Sequence, residues 1–300
     1  MTLAIDRAYE MPLNGTMLRS AGNREQRMFQ GLTLPALILV TCILLIPFAW
    51  LAWLSLFDAA GNLSIQNYAR LLRPAYVGSF LTTFKVAGLV TALCVVLGYP
   101  VAYLLSQLSP RAAQILMVFV ILPFWTSVLV RTYAWLVLLQ RKGVINDWLL
   151  SIGVIDQPLA LVHNLTGTII GMVHVMLPFL ILPLYASMKA IDPVLLRAAA
   201  NCGASPSQAF RQVFLPLSMP GLAAGIALTL VLCLGFYLTP ALLGGGRVAM
   251  WSTQIADTVS KFSNWGAASA LSVALLVVTA VILWGVRKLT DALSFSAGRP

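Results

Sequence analysis

Apolar residues in this chain come in six long runs separated by short polar breaks. The runs cover 32–57, 79–107, 114–139, 165–188, 213–238 and 266–286. Each exceeds the roughly 20 residues a helix needs to cross the hydrocarbon core of a bilayer. The first holds no charge, the second carries Lys85 near its start, and the third is interrupted by Arg131. The fifth lies inside a charge-free run that continues to Gly246. Continuous runs of this length predict spanning helices, whereas barrel strands would alternate over segments of about 10 residues. The expected fold is therefore an all-α membrane protein with six transmembrane helices.

The polar breaks have their own patterns. The loop 58–78 is short and semi-polar, and the turn 108–113 is tight, with Pro110 and Arg111. The loop 141–164 contains INDWLLSIG (145–153), which predicts a surface helix anchored at the interface by Trp148 and Leu149. The loop 241–265 carries LLGGGR with Trp251 and Trp265. Prolines fall inside the runs at Pro47, Pro100, Pro123, Pro178, Pro183 and Pro220. Each frees a backbone carbonyl, which is either simply tolerated in a membrane helix or bends that helix around a pathway.

Composition supports the membrane assignment. Charged residues are 9% of the chain and hydrophobic ones 60%, against roughly 25% charged in soluble domains. Some 30 polar residues precede the first run, and that run is too long for the core of a cleavable signal peptide. With the N-terminus inside, the inner segments hold Arg7, Arg19, Arg24, Arg27, Arg111, Lys189, Arg197, Arg211, Arg287, Lys288 and Arg299. The outer loops hold Arg70, Arg73, Arg141, Lys142, Arg247 and Lys261. This positive-inside bias places both termini in the cytoplasm. The net charge of +10 is largely that bias; the basic residues do not cluster on one soluble face, so no nucleic-acid partner is expected. Cys42, Cys94, Cys202 and Cys233 lack CxxC or Cys/His metal spacing, so no metal is expected and packing is their role. GGGRVAM (244–250) lacks the GK[ST] of a phosphate-binding loop. Any energy from ATP must enter through a partner.

One polar stretch departs from the rest: AAANCGASPSQAFRQVFLPLSMPG, residues 198–221. Asp192 caps a helix whose first position is Pro193. Val194, Leu195, Ala198, Ala199 and Cys202 recur at helical spacing, and Gly203 ends the helix as a C-terminal glycine does. Ser205 caps the next helix, again with Pro206 at its first position, and Phe210, Val213 and Phe214 carry it into the membrane. A short surface helix, a turn and a span result, with mostly small residues on the exposed face.

The stretch resembles the EAA loop of binding-protein-dependent ABC importer permeases, in the positions Ala198, Ala199, Gly203, Ala204, Phe210, Leu215, Pro216, Pro220 and Gly221. The motif's Glu is replaced by Arg197. ILPFWTSVLVRTYAW (121–135), GVINDWL, GMVHVMLPFLILPLYASM, LTPALLGG and NWGAASALSVALL are similar to the spermidine/putrescine-type branch. The resemblance implies a type I ABC importer permease fold in a bacterial inner membrane. It implies a cytoplasmic ABC ATPase dimer that carries the ATP and Mg, a second permease subunit of a different chain, and a periplasmic solute-binding protein. It makes Arg197, Ala198, Ala199, Gly203, Ala204, Ser205, Pro206 and Phe210 the residues that couple to the ATPase. The chain itself is expected to bind no cofactor and to hold no catalytic residue. Its organisation is then a cytoplasmic segment 1–31, a first helix and outer loop 32–78, a permease core 79–288 with the coupling loop 190–212, and a cytoplasmic tail 289–300.

Candidate solute contacts lie within the spans. Arg131 either pairs structurally or lines a pathway, because a charge left in lipid is costly; Lys85 is placed to snorkel. Trp125, Tyr133, Trp135, Phe236 and Tyr237 are the aromatics suited to a cation–π surface for an ammonium group. No Asp or Glu lies inside any run, which leaves opines and amino-acid derivatives open beside polyamines. His174, inside the fourth run, is read as a hydrogen-bonded core residue before a proton relay. The competing class is an ion-coupled secondary transporter, which the lack of a membrane carboxylate and of a clear inverted repeat disfavours.

Overall fold

The computed structural model describes the backbone of residues 15–57 and 61–297 and the side chains of 31, 33–57 and 61–288. The expectations for 1–14, 58–60 and 298–300, Arg7 and Arg299 among them, lie outside the described residues. The chain divides into two units, Met1–Trp53 and Leu54–Pro300. The first is described by α1 (Gly15–Leu54), a 40-residue helix whose apolar part runs Thr33–Leu54.

The second unit is also helical. Its centre is a trio, α3 (Pro74–Gln107), α7 (Leu165–Lys189) and α10 (Leu215–Gly235), which pack on one another. Small residues set the closeness of that packing, as in membrane helices generally, where burial alone gives no drive for association. Gly221 and Gly225, one turn apart on α10, face Ser187, Pro183 and Leu180 of α7. Cys94, Met172, Met176, Leu180 and Leu184 fill the interior. Cys94 and Cys233 are buried as packing residues, but Cys42 and Cys202 are exposed, so the packing role does not extend to those two.

Among the described residues five helices are long and apolar enough to cross a membrane, and a bent pair makes six if its two halves count as one span. That pair corrects the continuous third helix expected over 114–139. α4 (Pro110–Ile121) runs into a 3-10 turn at Leu122–Trp125, and α5 (Val128–Leu138) starts afresh at 96°. Thr126 is extended, and the Ser127 hydroxyl accepts the Leu129 N–H (3.3 Å), so a new helix is capped inside the apolar run. The fifth span also differs. It is continuous with the short helix α9 (Pro206–Ala209), passes through a π-helical turn at Phe210–Phe214, and ends at Gly235 instead of 238. The expected loops contain α2 (Gln66–Leu71), α6 (Val144–Ser151), α11 (Leu238–Leu243) and α12 (Trp251–Ser260). α6 is the surface helix expected over 145–153, with Trp148 exposed. The last helix, α13 (Trp265–Ala297), extends beyond the expected end at 286 into the tail.

Buried polar groups pin these pieces. Asn67 donates to the carbonyls of Ser55 (3.1 Å) and Phe57 (2.7 Å), closing the loop before α3. The Trp251 backbone N–H donates to Thr83 (2.9 Å) and its indole N–H to the Tyr76 carbonyl (2.9 Å), holding α12 on α3.

Candidate functional site

The short helix α8 (Pro193–Asn201) owes its existence to its ends. A nine-residue helix is marginal alone, and here both termini are satisfied. Asp192 Oδ1 accepts the Val194 N–H (2.8 Å). At the other end Gly203 takes φ +83°, its N–H donates to Ala200 (2.9 Å), and the Ala204 N–H donates to Ala199 (3.0 Å). That pair of bonds is a Schellman closure. Ser205 and Gln208 then form a reciprocal capping box, with bonds of 3.3 and 2.8 Å. The turn between the two helices is thus fixed on both sides.

No residue of α8 is buried. Arg197 and Ala198 are exposed, Ala199 is half-buried, Gly203, Ser205 and Pro206 are exposed, and Ala204 is half-buried. Beside the small residues expected on the exposed face, Val194 and Leu195 are 55% and 45% exposed. Spacing alone did not show that these two larger side chains lack a cover within the chain. An apolar face left uncovered within the chain suits contact with another protein or with the membrane surface.

Behind α8 lies an aromatic joint. Phe210 packs against the core, and Tyr103 of α3 sits edge-on to Phe210 (5.3 Å between centroids) and Phe214 (5.1 Å). Tyr99 shares a hydrogen bond with Ser218 (3.0 Å). The segment that follows α8 is thus packed against α3, and α3 is hydrogen-bonded to α10. Tyr103→Ala removes two edge-to-face pairs at about 0.5–1.5 kcal/mol each beyond burial. It is expected to lower the thermal midpoint of the purified protein; an unchanged midpoint would count against the joint.

The candidate solute contacts surround the two breaks. α5 packs on α7 and α11, and the hydroxyls of Thr132 and Thr239, both buried, share a hydrogen bond at 3.1 Å. The Ser252 hydroxyl donates to the Phe236 carbonyl (2.8 Å), satisfying backbone left open where α10 stops. The Trp135 indole N–H donates to His174 Nδ1 (3.0 Å), which makes His174 a hydrogen-bonded residue within the bundle. Arg131 is half-buried, and its Nε is enclosed with no hydrogen-bond partner. Lys85 is exposed, as snorkelling requires.

The aromatics are not gathered into one surface. Trp125 is 88% exposed, Tyr133 and Tyr237 are exposed, and Phe236 is half-buried against the core. Among the described residues no ring contact joins these four. Thr132, Thr239 and Ser252 went unread in the sequence because a hydroxyl in an apolar run is ordinary until its partner on another helix is known. Broken spans lined by such hydroxyls form the kind of irregular backbone that is tolerated at membrane depth only where it is enclosed by protein or faces a cavity.

Comparison with known proteins adds the family. Residues 94–294 match the family described as the binding-protein-dependent transport system inner membrane component. The chain is 36% identical over 222 residues to the spermidine/putrescine transport system permease protein PotB of Haemophilus influenzae, covering 74% of this chain and 78% of that one. It is 36% identical over 220 residues to PotB of Escherichia coli, covering 73% and 80%. Among solved structures it is similar, at 18% identity and a TM-score of 0.72, to a bacterial alginate ABC transporter in complex with an alginate pentasaccharide-bound periplasmic protein. That likeness covers 90% of this chain and 96% of the other, and it is a likeness of fold.

Proposed function

The chain belongs to the binding-protein-dependent transport system inner membrane component family, and on that premise we propose that it is the permease subunit of an ATP-driven importer of polyamines, spermidine or putrescine, working by alternating access. It is a multi-pass, non-catalytic membrane component of an ABC importer, which sets aside the ion-coupled carrier. The observation that carries the mechanism is α8, capped at both ends, without a buried residue, and standing on the Tyr103–Phe210–Phe214 joint. A partner ATPase dimer, holding the ATP and Mg, grips the α8 face with Arg197, Ala198, Ala199, Gly203, Ala204, Ser205, Pro206 and Phe210 at or beside the contact. Closure of that dimer pulls the joint, α3 and α10 tilt, and the pathway opens to the other side.

The coupling loop 190–212 and both termini face the cytoplasm of the bacterial inner membrane. The core 79–288 pairs with a second, different permease chain, and a periplasmic solute-binding protein delivers the solute. The pathway passes the breaks at Thr126–Ser127 and Phe236–Tyr237, with Trp125, Tyr133, Trp135 and Tyr237 available to an ammonium group.

A second reading keeps the importer and changes the cargo to opines or amino-acid derivatives. Its support is Arg131, a cation with an unpaired Nε in a bundle whose spans contain no Asp or Glu. The test is ATP hydrolysis by the full complex in lipid nanodiscs with its solute-binding protein, across polyamines, opines, amino-acid derivatives and sugars. Stimulation by putrescine or spermidine is expected. Stimulation only by zwitterions or anions would replace the polyamine assignment with the second reading and make Arg131 the leading contact.

A further inference from the structure

At the end of α7 away from α8, the loops close on a small cavity. α7 has 25 residues, about 37 Å at 1.5 Å per residue, so its first turn and α8 lie at opposite ends of the bundle. The cavity is about 320 Å³, bounded by Leu136, Gln140 and Arg141 on one side and by residues 160–163, ending in His163, on the other.

Its two rims are clamped by one side chain. Asn146, fully buried, donates from Nδ2 to the carbonyls of Gln140 (2.9 Å) and Leu159 (3.0 Å), and its Oδ1 accepts the Leu159 N–H (2.8 Å). A third segment is stitched in. The Asn164 N–H donates to the Leu243 carbonyl (3.2 Å), and the His163 ring lies so close to Gly245 that a Cβ there would stand 2.5 Å from Nδ1. His163 itself takes φ 59°, a left-handed conformation that non-glycine residues hold only when their surroundings impose it. The cavity is therefore pre-formed. Its lining residues include Arg141, His163 and Gln140, and none is acidic. Exposed Lys142 follows Arg141 in sequence.

We propose that this cavity receives a carboxylate side chain of the solute-binding protein when that protein docks on the outer face. The proposal rests on the importer reading above, which puts α8 at the cytoplasmic end and the cavity at the other. A polyamine would be repelled by Arg141, so the cargo is not the occupant. The volume sits at the bottom of the 300–1,000 Å³ range of small-molecule pockets, which suits one inserted side chain. Charge pairs of this kind act chiefly on association and register, and their effect fades with salt.

The experiment uses the complete importer in nanodiscs and reads the concentration of solute-binding protein that half-saturates ATP hydrolysis, at low and high salt. Arg141 is exposed, so its replacement leaves the bundle intact. Arg141→Glu is expected to raise the half-saturating concentration about tenfold at low salt, with Arg141→Gln in between, and the gap should narrow at high salt. Lys142→Glu makes the same change in net charge outside the cavity lining and is expected to have the smaller effect. Rescue of Arg141→Glu by an Asp or Glu to Lys change on the binding protein would identify the paired carboxylate. If Arg141→Glu matches Lys142→Glu or the unmodified complex, this proposal is overturned alone. If the unmodified complex does not respond to the binding protein at all, the importer reading falls and takes the proposal with it.

Discussion

Gly203→Val is expected to abolish most transport while the protein is still made and inserted. The reason is conformational and not steric. A Cβ at this position would meet nothing within 4 Å, yet Gly203 holds φ +83°. An L-residue in that region costs roughly 1–2 kcal/mol, and a β-branched one is the least suited to it. Residue 203 closes the last turn of α8 through its own N–H and that of Ala204, so the strain is relieved by opening that closure. A cost of that size lowers the ratio of closed to open turn by about 5- to 30-fold. The capping box at Ser205 stays in place, so α9 and the span behind it still form. α8 and α10 are then both present but no longer joined at a fixed angle. Uptake should fall much further than protein level. Asn, which visits the left-handed region, should retain most uptake, and Ala should lie between. An ordering by size instead of by left-handed tolerance would refute the conformational account. Wild-type uptake by the Val variant would remove Gly203 from the coupling path.

Signals that act over a few residues were legible without the structure. Asp192 with Pro193, Gly203, and Ser205 with Pro206 set the bounds of α8 and the start of α9, because caps are satisfied by immediate neighbours. The breaks in the spans were not legible, since hydropathy measures the cost of leaving water and says nothing of chain direction. Pro123 lies at the broken span, but Pro100, Pro178, Pro183 and Pro220 lie inside continuous helices, so proline alone does not mark a break. What marks it is extended Thr126 followed by the Ser127 cap. Both are short polar residues inside an apolar run, where such residues more often bond back to their own helix, as Thr82 and Thr279 do. The end of α10 at Gly235 was hidden by an apolar run that continues to Gly246. Its determinant, Ser252 on the Phe236 carbonyl, comes from another helix. Trp135, a candidate solute contact, is brought together across 39 positions with His174, a pairing no local pattern encodes.

Gly221→Leu is expected to be the most damaging substitution for the bundle itself. Gly221 lies where α10 crosses α7, and even a Cβ there would stand 2.2 Å from Ser187 Cβ and 3.1 Å from the Pro183 carbonyl. The first obstacle is attached directly to the α7 backbone and the second belongs to it, so neither is cleared by a rotamer change. The helices must separate. Gly225, one turn on, stands in the same way against the Leu180 carbonyl at 3.0 Å, so separation at 221 also loosens the contact at 225 and the buried residues between. Overpacking of this kind costs about 1–3 kcal/mol, occasionally more. The site is also on the path from α8, because α10 is the continuation of the helix that begins at Pro206. The expected result is a lower thermal midpoint in detergent and less folded protein in the membrane, with Gly221→Ala giving a smaller loss in the same direction. Gly88→Ala is the matched control: a Cβ at Gly88 of α3 meets nothing within 4 Å, so it should leave the midpoint unchanged or slightly raised through helix propensity. Equal midpoints for Gly221→Leu and Gly88→Ala would mean that α7 and α10 do not approach at this glycine, and the rigid transmission from α8 through α10 would lose its structural basis.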